Sequence, residues 1–130
     1  MNYSLSILDL LLSCRKFKDS TMFLRDTNEA ISYGEFVNDV LAIGCSMLSI
    51  SESFLVITAS DPVLYAEGYI ASIISGHIGC LEKPGNCLSK GFQELQNKRI
   101  LADDELLNAL QKSNPDPSKL PNTLYSLKCK

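Results

Sequence analysis

The residues that could do chemistry are few. His77 is the one imidazole, and the thiols are Cys14, Cys45, Cys80, Cys87 and Cys129. A Cys–His nucleophile pair would have to use His77, and nothing beside it in the chain marks a nucleophile. The cysteine count is odd, no two are spaced C-x-x-C, and with one histidine a zinc ligand set is nearly empty. Five reduced thiols, several of them small core residues, are the simpler account, and with it comes a cytoplasmic setting. Asp103-Asp104-Glu105 could hold a hard cation such as Mg²⁺ if other oxygens converge on them; as the acidic first turn of a helix they complement its dipole. The loop Gly85-Asn86-Cys87-Leu88-Ser89-Lys90-Gly91 has glycines and a lysine, but a phosphate cradle needs Gly-Lys-Ser/Thr opening a helix, and the order here is Ser-Lys-Gly. Gly76 and Gly79 miss the dinucleotide spacing, and His77 after a helix stop suits a bond to a backbone carbonyl. Tyr65 and Tyr69, four apart, share one helical face and serve either a pocket wall or a core contact. The residues alone assemble no catalytic, cofactor-binding or metal site.

These groups must be positioned by the elements around them. Leu5, Leu8, Leu12 and Ile7, Leu11, Cys14 form adjacent helical stripes over residues 5–17, which predicts an amphipathic helix docking on the rest. Thr21 to Arg25, the turn Asp26-Thr27-Asn28 and Ala30-Ile31 predict a hairpin. Ser32-Tyr33-Gly34-Glu35 fits a capping box, and the helix behind it carries Phe36, Val37, Val40, Leu41, Gly44, Met47 and Leu48 as its core stripe. Phe54 to Thr58 is almost continuously apolar, the pattern of a parallel strand covered on both faces. Ser60-Asp61-Pro62 opens a further helix, with Val63, Leu64, Ala66, Tyr69, Ile70, Ile73 and Ile74 apolar, and Gly76 stops it before a short strand, His77 to Leu81. Gly91 to Lys98 reads as a short helix, Arg99 to Ala102 as a strand, Asp103 to Leu110 as a helix and Thr123 to Leu127 as a last strand. Strands alternating with helices predict an α/β fold: a layered, mostly parallel sheet with crossover helices on both faces. The expected division is an α/β subdomain over 1–113, a Pro-rich linker over 114–122 and a truncated strand over 123–130.

Bulk properties agree with one ordinary domain. The chain has 130 residues, 45% of them hydrophobic, with 15 acidic against 12 basic side chains. That length supports a real core without disulfides or a structural metal. The net charge of -3 argues against nucleic acid as the partner. Asp9 interrupts the early apolar run, and Arg15, Lys16 and Lys18 follow it instead of preceding it, so it does not read as a signal peptide. No stretch approaches a membrane span.

The order of these words also resembles a known family. Ala30-Ile31-Ser32-Tyr33-Gly34-Glu35-Phe36, then Val40 to Gly44, Phe54 to Ser60, Asp61-Pro62-Val63-Leu64-Tyr65 and Ala71 to Gly76 are similar to the amino-terminal part of the adenylate-forming (AMP-binding) ligases. That superfamily holds acyl-CoA synthetases, peptide-synthetase adenylation domains and luciferases. The resemblance covers roughly residues 22 to 112, and Arg99 to Leu107 fits the family's next strand and polar turn. One departure is Leu81, where the family has a proline; here the proline is Pro84. The family's Ser/Thr/Gly-rich phosphate loop with its lysine, its ribose-binding acid and its carboxy-terminal lysine have no counterpart in these 130 residues. The resemblance therefore implies an amino-terminal subdomain of an acyl-CoA synthetase type of ligase, acting as scaffold without catalytic residues. It implies ATP, Mg and CoA as cofactors of the full-length parent and none in this chain. The implied partners are the remainder of the ligase chain and, through apolar surface left uncovered, a second copy. The competing expectation is a stand-alone α/β binding or protein-interaction module without catalysis.

Overall fold

The computed structural model describes residues 6–83, 99–113 and 124–126. Its first element starts at a complete capping box: the Ser6 hydroxyl accepts the Asp9 amide, and the Ser6 amide donates to the Asp9 carboxylate. Helix α1, Ile7–Ser13, follows and passes into a 3-10 turn, Cys14–Phe17. The single helix expected over 5–17 is thus shorter and tightens at its end. It also docks by less than its pattern suggests. Leu11 is buried at 5% exposure, whereas Ile7, Leu8 and Leu12 stay exposed, because a two-turn helix meets its neighbours along one line only.

Strands β1, Thr21–Leu24, and β2, Ala30–Ser32, pair antiparallel as the expected hairpin. At its turn the Asn28 amide donates to the Arg25 carbonyl at 2.8 Å, and Asn28 takes a left-handed φ of 65°, which its short polar side chain tolerates. Helix α2, Tyr33–Met47, begins where Ser32 accepts the Glu35 amide at 3.1 Å. Glu35 does not return the bond expected of a capping box; its carboxylate lines a cleft instead. Phe36, Val37, Val40, Gly44 and Met47 are buried as expected, and Ile43 joins them. Leu48 is 68% exposed, since the helix ends one residue earlier and the chain turns away from the core.

Strands β3, Phe54–Ile57, β4, Ile78–Leu81, β5, Arg99–Ala102, and β6, Leu124–Ser126, form one sheet in the order β4-β3-β5-β6, every pair parallel. Helix α3, Pro62–Ile74, links β3 to β4, and helix α4, Asp104–Ser113, links β5 to β6. The Asp61 side chain caps α3 with Pro62 in its first turn. At the other end Gly76, at φ 84°, donates to the Ile73 carbonyl while His77 donates to that of Ser72, a Schellman stop.

The two crossovers run in opposite directions across the sheet. Since such connections are right-handed almost without exception, α3 and α4 fall on opposite faces. Register and burial agree. Leu55, Ile57 and Leu101 share one face and pack into the core with α2 and α3, while Val56 and Ile100 point the other way, toward the side where α4 brings buried Leu106. Gly79 lets α3 lie close on β4: a Cβ there would collide with Ser72 Oγ and sit 3.2 Å from the Tyr69 ring.

Val56 and Ile57 are buried as the pattern predicts, but Ile70, Ile73 and Ile74 are only half-buried. The buried line of α3 is Val63, Glu67, Gly68, Ala71 and Ser72 instead. Small residues let the helix approach its neighbours, while half-buried Ile70 and Ile74 pack against the core, Ile74 over Gly44 of α2. The expected helix at Gly91–Lys98, the loop Gly85–Gly91 and the linker over 114–122 lie outside the described residues. No described helix is long and apolar enough to cross a membrane.

Candidate functional site

The chain leaves β3 toward β4 on one side, while β5 and then β6 lie on the other. In an open α/β sheet such a reversal opens a crevice at the carboxyl ends of the two central strands, where ligands characteristically bind. Asp103 stands there, directly after β5, at 6% exposure. Its Oδ2 accepts the amides of Ser60 at 2.9 Å and Asp61 at 3.0 Å, and its Oδ1 accepts the Leu106 amide at 3.1 Å, capping α4. One carboxylate thus holds the β3–α3 turn, the end of β5 and the start of α4 together. Amides that would otherwise face an incoming anion are taken by the protein itself.

Asp61 extends this network to the hairpin. The Arg25 guanidinium, at the end of β1, donates to both Asp61 oxygens, Nη2 to Oδ2 at 2.9 Å and Nη1 to Oδ1 at 2.5 Å. This two-pronged geometry is the strong form of such a pair. It holds the Asp61 carboxyl below the usual carboxylate range, aided by the Val63 amide and opposed by partial burial. Arg25 is raised in turn, chiefly by that bond and further by the charges of Asp61, Glu29 and Glu67.

A cavity of about 580 Å³ opens beside the pair, between hairpin, α2, α3 and α4. Six carboxylates line it, those of Glu29, Glu35, Asp39, Asp61, Glu67 and Asp104, against the single cation of Arg25. A smaller hollow of about 330 Å³, walled by Phe23, Leu24, Pro62 and Val63, adjoins it across Arg25. Among the described residues the wall of the larger cavity has no histidine, thiol or lysine. Among the described residues its one cation is already paired with Asp61, so their field repels a polyphosphate. Among the described residues no group of three or more His, Cys, Asp and Glu side chains is arranged to hold a metal ion.

The other residues singled out from the sequence do not converge on this place. His77 Nε2 donates to the Ile50 carbonyl at 2.9 Å, and its Nδ1 meets Ser75 Oγ at 2.8 Å, so the ring fastens the α2–β3 loop to the end of α3. Tyr65 donates to the Glu82 carbonyl at 3.1 Å, and Tyr69 packs over Gly79; neither lines either cavity. Cys14, Cys45 and Cys80 are free thiols on different elements, and Cys87 and Cys129 lie outside the described residues. Asp103 and Asp104 do reach the carboxyl end of the sheet, the first as a clamp and the second in the cavity wall. Sequence reasoning singled out none of Arg25, Glu29, Asp39 and Glu67 as site residues. The signal that was present is positional: Asp61 and Asp103 each start a helix just after one of two adjacent parallel strands, which aims them at the same crevice.

No protein-family model matches this chain, and no curated protein matches it. Solved structures do. The McyG A-PCP structure complexed with phenylalanyl-adenylate superposes with a TM-score of 0.71 at 17% identity, over 98% of this chain and 22% of that one. The luciferase-like enzyme of the nonluminescent Zophobas morio mealworm gives 0.69 at 17% identity, over 98% of this chain and 32% of that one. A benzoate CoA ligase from Burkholderia xenovorans LB400 gives 0.62 at 13% identity, over 95% and 25%. The chain therefore spans about a fifth to a third of the length of these proteins. At such identities the likeness speaks of the fold alone, a mixed α/β arrangement with a parallel sheet that recurs in part of each of these longer chains.

Proposed function

We propose that this chain is the amino-terminal scaffold of an AMP-dependent ligase of the acyl-CoA synthetase type. The whole enzyme would activate a carboxylate with Mg-ATP to an acyl-adenylate and pass the acyl group to a thiol, with CoA as the acceptor. The observation that carries this reading is the superposition of nearly the entire chain on a minor part of longer ligase chains, 98% against 22% in one case. We take residues 1–113 as the subdomain, 114–122 as a linker and 123–130 as a truncated strand. The setting is cytoplasmic, and the partners are the rest of the ligase chain and a second copy meeting exposed apolar surface.

The residues present do not fit the nucleotide. Asp103 occupies the amides at the crevice, and the adjoining cavity is carboxylate-lined, so no step of the chemistry is assigned to this chain. Its part is to hold the sheet on which the remainder builds. A stand-alone interaction module is the second reading, favoured by the fact that the described elements fill their own core and close their own crevice. The coding sequence beyond codon 130 separates them. An uninterrupted frame reaching a Ser/Thr/Gly-rich loop with a lysine is the expected result, and an immediate stop codon overturns the ligase reading.

A further inference from the structure

Two surfaces of this molecule complement each other in charge. One projects: the 3-10 turn after α1 presents Arg15, Lys16, Phe17 and Lys18, all exposed, beside exposed Leu10 and Leu12. Phe17 touches the Tyr33 ring with centroids 6.2 Å apart and is still 59% exposed, and the three cations make no ion pair with any described residue. The other surface receives. The hollow of about 330 Å³ has Phe23, Leu24, Pro62 and Val63 as its apolar wall, with Arg25, Asp26 and Thr27 at its polar side. Beside it lie the carboxylates of Glu29, Glu35 and Asp39, facing a cavity whose one cation, Arg25, is already paired.

We propose that these are the two halves of one self-complementary face, through which two copies of the chain pair about a two-fold axis. The basic-aromatic turn of each copy seats on the groove between hairpin and α3 of the other: Phe17 enters the apolar hollow, and Lys16 and Lys18 meet Glu35 and Asp39. The adjacency of the halves decides the symmetry. The basic turn and the acidic part of the receiving surface both reach the first turn of α2, where the Gly34 amide donates to the Lys18 carbonyl at 3.0 Å and the next residue, Glu35, lines the acidic cavity. A projection lying beside its own receptor mates reciprocally with a second copy, giving a closed dimer; widely separated halves would give open chains. Attraction of opposite charges guides the encounter, and burial of two phenyl rings holds it. This pairing deepens the proposed self-association and is independent of the ligase reading, so either can fail without the other.

The test is sedimentation velocity on the full 130-residue chain from micromolar to millimolar concentration, at low and high salt, with far-UV circular dichroism on every variant. The expected result is a monomer–dimer equilibrium whose dissociation constant rises roughly tenfold or more from 50 to 500 mM salt, as screening removes the charge contacts. Phe17→Ala weakens it at least tenfold while the fold is kept. The charge-swapped variants Lys16→Glu/Lys18→Glu and Glu35→Lys/Asp39→Lys are each monomeric, and mixed in equal amounts they form a heterodimer, because one contact is then restored with inverted sign and the other with its original sign. A monomer throughout overturns the proposal. So does a dimer indifferent to salt and swaps, or folded variants that do not pair on mixing. Pelleting with phosphatidylserine vesicles by a chain that stays monomeric also overturns it, assigning the basic-aromatic turn to a lipid surface.

Discussion

The carboxyl end of the sheet and the amino-terminal segment use the same kinds of residue to opposite ends. At the sheet's end, charged groups face inward: Asp103 holds the turn before α3 and the start of α4, and Arg25 grips Asp61 from the hairpin. In the amino-terminal segment apolar groups face outward, with Leu10, Leu12 and Phe17 exposed and Leu11 alone among the described residues of α1 buried. Polar side chains can therefore fasten a fold as firmly as apolar ones when each has partners, and an apolar helix contributes little where nothing covers it. The first region is fastened by groups of this chain, and the second leaves apolar groups exposed among the described residues.

The largest effect expected from disturbing this contrast is at Asp103. Asp103→Ala leaves the Ser60, Asp61 and Leu106 amides without their acceptor in a buried setting and is expected to cost about 2–4 kcal/mol, read by chemical denaturation. A loss below about 1 kcal/mol would mean that the clamp is dispensable. Leu11→Ala comes next at about 2 kcal/mol, the low end for a buried leucine, because its helix has one line of contact.

How far the sequence foretells these two regions depends on the reach of the signals. The hairpin turn at Asn28, the caps at Ser32 and Asp61 and the stop at Gly76 were readable, because each is decided by partners within a few residues. The parallel sheet followed from their order. The clamp and the ion pair were not readable, since Asp103 binds amides 42 and 43 residues away and Arg25 binds Asp61 across 36. For α1 the stripe predicted a docked face, yet periodicity identifies a face and not what covers it. Likewise the isoleucines of α3 look like core, while the close contact is made by Gly68, Ala71 and Ser72, whose smallness the pattern does not weigh.

Smaller effects sharpen the contrast. Asp61→Asn keeps a side-chain oxygen for the Val63 amide but removes the charged half of the pair, and about 1 kcal/mol of destabilisation is expected at neutral pH. The sign of its pH dependence follows from the lowered carboxyl of Asp61. The contribution is fully present above the unfolded carboxylate value, about pH 4, and is lost as pH falls through the lower folded value. Stability curves of the parent and the variant should therefore converge on acidification, and a constant gap down to pH 2 would remove Asp61 as the cause. Smallest of all, Leu12→Ser on the open side of α1 is expected to change stability by no more than about 0.5 kcal/mol.

The central proposal is that this chain holds a sheet and binds no nucleotide, the Ser60 and Asp61 amides at its crevice being taken by its own Asp103. Calorimetric titration of the isolated chain with Mg-ATP, and separately with a non-hydrolysable acyl-adenylate analogue, tests it most directly. No saturable binding tighter than millimolar is predicted for either ligand. A micromolar isotherm that is lost when Asp103 or Arg25 is substituted would contradict the account.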